Sequence, residues 1–229
     1  SAILDYYQGM ERLTLIPHRQ ENNEAFKRNV IMDMLVKFPN SRAMLMILNG
    51  ARNRFSMDRL EEALGLFNAP ELVEHPLYKD LVTYCETMMK TAVGQVVPDF
   101  SLPSKNGKEV AISSFRGKYV LLEFSASWCG WCKLEIPYLK QVYDLTKGKK
   151  FYMFTINLDK ERKLWEEDVK KESLPWPILS DLKAFDGGIA GEYNVSGIPV
   201  IFLIDPDGKI VTNKLRGEGM ISFIEQLSL

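Results

Sequence analysis

Apolar residues follow two different rhythms along this chain, and the rhythm changes near residue 93. Before that point the spacing is helical. In the stretch 24–38, Phe26, Val30, Ile31, Met34, Leu35 and Phe38 recur at three- and four-residue intervals, which gathers them on one helix face. Pro39-Asn40-Ser41 ends that run. Ser41 is placed to cap a second helix over 41–48, because its hydroxyl can accept an N–H that a helix start leaves unbonded. Ser56 stands in the same position before 57–67, where Leu60, Leu64 and Phe67 align. His75-Pro76 marks a further boundary, and 77–89 reads as a last helix. The pattern predicts a small all-α domain over residues 1–91.

From residue 92 strands and helices alternate. Val96 to Phe100 leads into a hairpin-like pair that turns at Lys105-Asn106-Gly107-Lys108. The run 118–125 (KYVLLEFS) is almost continuously apolar, as a buried parallel strand should be, and only Glu123 interrupts it. A helix over 137–145 and a second buried strand over 151–158 follow. Next comes a helix over 160–172, with Leu164, Trp165 and Val169 on one side, and a short helix over 186–193. A third strand over 200–205, a turn at Asp207-Gly208, a strand over 210–214 and a helix over 220–227 complete the order. Such an alternation predicts an α/β domain over residues 92–229, with helices on both faces of a sheet.

Composition narrows the function classes. Hydrophobic residues make up 46% of the 229, enough for a core. With 29 basic and 30 acidic residues, nothing argues for nucleic acid or an anionic membrane surface as partner. No apolar run approaches the ~20 residues of a membrane span. The chain opens at Ser1 with no leader-like segment, which leaves the compartment open. Met32, Met34, Met44, Met46, Met57, Met88 and Met89 read as core filler rather than a metal-binding array, since no histidines cluster with them.

The three cysteines are too few for a disulfide scaffold, but two of them form Trp128-Cys129-Gly130-Trp131-Cys132. Two cysteines three apart at the start of a helix can bring their sulfurs within bonding reach. Cys129 would lie at the helix N-terminus, where free N–H groups and the helix dipole stabilise a thiolate, the attacking species in disulfide exchange. Cys132, one turn further in, would be shielded. The division of labour follows: Cys129 attacks a target disulfide and Cys132 resolves the mixed disulfide. Half of a zinc site has the same spacing, but the further ligands would have to come from Cys85, His18 and His75, none at ligand spacing. No metal is expected, and no cofactor beyond the redox-active cysteine pair. Cys85, inside LVTYCETMM, reads as a buried structural thiol before a redox one.

From about Ala92 to Leu229 these residues resemble the thioredoxin superfamily, and within it the thiol–disulfide oxidoreductases of the TlpA/ResA type. The resemblance rests on five segments in order: Val93-Gly94 through Pro98-Asp99-Phe100-Ser101-Leu102; the strand and aromatic residue before the motif; Cys129-x-x-Cys132-x-x-Glu135-x-Pro137; Gly197-Ile198-Pro199; and Gly217. It implies a thioredoxin-like fold with an N-terminal β-hairpin and a central insertion near 160–186. It also implies a cis Pro199 facing the cysteines, with the Ile198 backbone free to pair with an extended substrate. Trp128, Gly130 and Trp131 join them as substrate-binding residues, with Trp128 packed beside the cysteines. Glu123 takes the place of thioredoxin's buried aspartate, where a carboxyl of raised pKa could exchange a proton with Cys132; a strand-edge glutamate reaching solvent is the alternative. Glu135 either tunes the thiols or is a solvated helix charge.

The activity implied is reduction of protein disulfides in the periplasm or cell envelope. Electrons would come from a membrane-embedded thiol reductase, and anchoring through a segment outside these residues is one arrangement the resemblance allows. Gly130-Trp131 departs from thioredoxin's Gly-Pro and leaves the redox direction open. Two other functions remain. A peroxidase of the peroxiredoxin kind would need a Thr where Ala126 stands and a Pro where Leu122 stands. A binding protein would use residues 1–91 to recruit a partner.

Overall fold

The computed structural model describes residues 20–227. They fall into two compact units that divide between Glu86 and Thr87. The division lies inside a helix, a few residues before the change in sequence character.

The first unit is helical: α1 (Gln20–Lys37), α2 (Arg42–Ala51), α3 (Met57–Leu64), α4 (Pro70–Val73) and α5 (Pro76–Lys90). Its core gathers Ile31, Leu35, Met44, Leu45, Leu48, Leu60, Phe67 and Leu81. Asn40 ends α1 in the left-handed conformation (φ 59°), and its Oδ1 accepts the N–H groups of Asn68 and Ala69 at 2.7 and 2.8 Å. Ser41 caps α2 as its position predicts, accepting the Met44 N–H. Ser56 occupies the N-cap position of α3 but its side chain makes no capping bond. The apolar face of α1 is narrower than its spacing suggests. Ile31, Met32 and Leu35 are buried but Phe26 is exposed: among the described side chains of α1, the buried ones lie in its later turns. The methionines divide as well: Met44 is buried, whereas Met46 and Met89 face solvent.

The second unit holds two sheets. Strands β1 (Ser101–Pro103) and β2 (Glu109–Ala111) form the antiparallel hairpin, and Gly107 (φ 74°) supplies the positive φ its turn needs. Five further strands, β3 (Tyr119–Ser125), β4 (Phe151–Asn157), β5 (Ile178–Leu179), β6 (Val200–Ile204) and β7 (Ile210–Thr212), form one sheet in the order β5-β4-β3-β6-β7. The first three run parallel, while β6 and β7 add antiparallel. Between them lie α6 (Gly130–Thr146), α7 (Arg162–Glu172) and α8 (Gly188–Glu192), and α9 (Gly217–Glu225) follows β7.

Alternation along β3 assigns its residues to two cores. Leu122 and Phe124 pack with Phe154, Ile156, Phe202, Tyr193 and both motif cysteines. Leu121 packs with Met153, Ile201 and Leu203 against Leu139 and Val142 of α6 and Met220 and Ile224 of α9. The unit is thus a thioredoxin-like α/β fold with an N-terminal hairpin and a segment inserted between β4 and α8.

Two elements differ from the sequence reading. β5 has only two residues, too few to show a period. In α7 the inward residues are Trp165 and Asp168 rather than Leu164, because Asp168 is held there by a lysine from α6. Among the described residues, no helix is long and apolar enough to cross a membrane.

Candidate active site

β3 delivers the chain to a short turn, and the turn ends at Cys129, the N-cap of α6. The Cys129 Sγ accepts the Cys132 N–H at 3.1 Å, occupying the place of the hydroxyl in a serine cap. A negative sulfur there meets a backbone donor and the positive end of a 17-residue helix. The pair is oxidised in this structure, with an S–S distance of 2.11 Å and Cα atoms 5.3 Å apart. Cys129 keeps 6% of its surface exposed and Cys132 none, so Cys129 is the sulfur a second molecule can reach.

The end of β4 anchors the turn. Asp159 accepts the Ser127 hydroxyl at 2.8 Å, the Ser127 N–H at 3.2 Å and the Asn157 side-chain amide at 2.8 Å, while its own N–H donates to Asn157 Oδ1. On the helix side, Lys133 ion-pairs with Asp168 and Glu172 of α7. The segment carrying Cys129 and Cys132 is therefore fastened on both sides by polar groups from outside α6.

Glu123 lies within the fold, 2% exposed, which removes the alternative of a strand-edge charge. Its Oε2 accepts the Thr155 hydroxyl at 2.7 Å across the β3–β4 pair, and Oε1 has no protein partner among the described residues. Burial raises its pKa from 4.5 to about 7, and the charges of Glu135 and Asp168 push the same way. The Thr155 hydrogen bond and the Lys133 charge pull against them. Glu135 is not a free helix charge either: its Oε2 accepts the N–H of Gly217 at 2.9 Å, tying α6 to the first residue of α9.

The Ile198–Pro199 bond is cis. Ile198 is half-buried and packs against the cluster that contains both cysteines. It lies just before the β6 ladder, whose register with β3 begins at the Phe124–Val200 pair. Arg216 donates to the Pro199 carbonyl. Gly130 and Trp131 are exposed, Trp131 at 75%. Trp128 is 60% exposed and sits beside Phe185 from the inserted segment, ring centroids 6.4 Å apart. With exposed Leu134 on α6, these side chains give the neighbourhood of Cys129 an apolar rim.

Several site residues escape sequence reasoning: Asp159, Lys133, Asp168, Thr155, Trp176 and Phe185. Asn157-x-Asp159 directly after a buried strand was the one local signal, since polar residues at a strand's carboxyl end point to a site. The others become neighbours of the motif only through the fold. Cys85 lies in the helical unit, where burial and then the charges of Glu61 and Glu86 push its thiol pKa up and keep it protonated. Among the described residues no cluster of His, Cys, Asp and Glu is suited to a metal ion.

Comparison with known proteins places these features in company. The model of the AhpC/TSA family matches residues 93–213. The chain is similar to the thiol-disulfide oxidoreductase ResA of Geobacillus kaustophilus, 31% identical over 139 residues that cover 59% of this chain and 78% of that protein. It is also similar to ResA of Bacillus cereus, 34% identical over 131 residues, 56% of this chain and 72% of that one. Among solved structures, the thioredoxin domain of a thiol-disulfide oxidoreductase from Bacteroides vulgatus superimposes with a TM-score of 0.56 at 32% identity, covering 59% of this chain and 96% of its own.

Proposed function

The chain belongs to the AhpC/TSA family and is a thiol–disulfide oxidoreductase; from that premise we propose that it reduces disulfides of other proteins in the cell envelope. The observation that carries the chemistry is Cys129 at the N-cap of α6, its sulfur bonded to the Cys132 N–H and slightly exposed while Cys132 is enclosed. In the reduced enzyme the Cys129 thiolate attacks one sulfur of a target disulfide. A mixed disulfide forms and the other target sulfur leaves as a thiolate. Cys132 then loses its proton, with Glu123 as acceptor, and attacks the Cys129 sulfur. The mixed disulfide breaks, the Cys129–Cys132 bond forms and the second target thiol departs. Two electrons have passed to the target, and a membrane-embedded thiol reductase returns them. Direction and compartment rest on the resemblance to TlpA/ResA proteins.

The substrate lies along the apolar rim. An extended peptide pairs with the Ile198 backbone ahead of Pro199, and its side chains meet Trp128, Gly130, Trp131 and Leu134. Peroxide reduction fits less well: Ala126 is fully buried with no hydroxyl to offer, and Leu122 lies inside β3.

Cys132→Ser tests the roles. It is expected to accumulate a mixed disulfide with substrate protein, whereas Cys129→Ser forms none; an adduct in Cys129→Ser alone would reverse the assignment. The reduction potential tests direction: a value near about −270 mV, like thioredoxin, supports a reductase, and one near about −120 mV makes the protein an oxidant.

A further inference from the structure

Behind Glu123 runs a hydrogen-bond chain that begins in the inserted segment. The indole Nε1–H of Trp176, a residue 5% exposed, donates to Thr155 Oγ1 at 3.0 Å, and Thr155 Oγ1 donates to Glu123 Oε2 at 2.7 Å. While Glu123 is charged the polarity of this chain is forced. An indole nitrogen can only donate, whereas a hydroxyl has one proton and two acceptor sites. With Trp176 occupying one acceptor site, the Thr155 proton is directed to the carboxylate oxygen Oε2. A proton arriving on Oε1, which has no partner among the described residues, leaves that bond intact, whereas one on Oε2 would turn the Thr155 proton away from it.

We propose that Trp176 is a positioning residue for the exchange reaction, acting through Thr155 to keep the transferable proton of Glu123 on Oε1 and off the Thr155 side. The inference rests on the reading of Glu123 as the proton acceptor of Cys132. The inserted segment then has a mechanistic part: Pro175-Trp176-Pro177 leads into β5, Thr155 N–H donates to the Pro177 carbonyl, and the indole is held in the α6 core beside Tyr143. The other charged groups around Glu123 are Lys133 and Glu135 from α6 and Asp168 from α7. β6 contributes Ile201 in register and no charge. None of these donates a hydrogen bond to Glu123 among the described residues, so the Thr155 bond alone distinguishes its two oxygens.

Without the indole donor the Thr155 hydroxyl is a weaker donor to the charged carboxylate and turns more readily to accept from Oε2 of the neutral one, both of which favour the protonated form. Trp176→Phe keeps an aromatic ring and removes the N–H. Its expected effect is a rise of about half to one pH unit in the midpoint of the resolving step, measured as single-turnover decay of a preformed mixed disulfide. In a Thr155→Val background the same substitution should give no further shift. A second measurement needs no variant: in the wild-type protein the Trp176 indole N–H resonance should titrate with the midpoint of Glu123.

Three outcomes separate the claims. If Glu123→Gln leaves the pH profile of resolution unaltered, the reading of Glu123 fails. If Glu123→Gln abolishes the midpoint but Trp176→Phe leaves it in place, Glu123 stands and the role of Trp176 is overturned. An indole resonance that stays flat across that midpoint overturns it independently, even where Trp176→Phe does not fold.

Discussion

Replacing Glu123 by Gln should flatten the pH dependence of stability in the redox unit. In the folded protein this carboxyl titrates at about 7, against 4.5 for the free side chain, chiefly because it is buried. Between those values the native state holds a proton that the unfolded chain has released, so stability falls as pH rises. The full effect is present below about pH 4.5 and lost above about 7. At about 1.4 kcal/mol per unit, the shift amounts to about 3 kcal/mol. Gln keeps an oxygen for the Thr155 hydroxyl but places an amide where Oε1 has no partner among the described residues, so its absolute stability is not the diagnostic quantity. The difference in slope is. Oxidised protein should be unfolded in urea from pH 4 to 9, since the disulfide keeps both motif thiols from titrating. Trp128, Trp131, Trp165 and Trp176 are the chain's 4 tryptophans and all lie in the second unit, so fluorescence reports on that unit alone. Wild type should lose about 3 kcal/mol relative to Glu123→Gln across this range. Parallel curves would refute the claim that Glu123 is charged only at a cost in the folded state.

Other substitutions probe the fastenings and the rim. Asp159→Ala leaves the Ser127 turn without its acceptor and should lower stability by about 1–3 kcal/mol while slowing attack by Cys129; unchanged urea midpoint and unchanged thiol alkylation rate would count against the anchoring. Lys133→Met strips Asp168 of its main cation and should cost about 1.5–3 kcal/mol; an unchanged urea midpoint would contradict it. Trp131→Ala, at a position 75% exposed, should leave stability within about 0.5 kcal/mol of wild type. It should slow reduction of a protein disulfide but not of a small aromatic disulfide; equal rates on both would remove Trp131 from the docking rim.

What could be read without coordinates was local. The attacking and resolving positions follow from two cysteines three apart at a helix start, because capping geometry spans only three or four residues. Ser41 was legible for the same reason, and β3 and β4 through unbroken apolar runs. Glu123 could be singled out as an acid inside such a run, since burial of a strand's neighbours implies its own. What the tertiary structure decided lies at long range. Thr155 is 32 residues from Glu123 and Trp176 another 21 beyond, so no spacing rule joins them. Asp168 turns inward against the apolar pattern of α7 because Lys133 stands opposite. Trp128 faces Phe185 and solvent because the inserted segment ends beside the motif. Sequence alone determined that this chain carries a dithiol at a helix start in an α/β frame, for those features depend on neighbours within one turn or one strand. Which groups set the protons and fasten the turn was decided by packing, which brings distant side chains into hydrogen-bond distance where no local period records them.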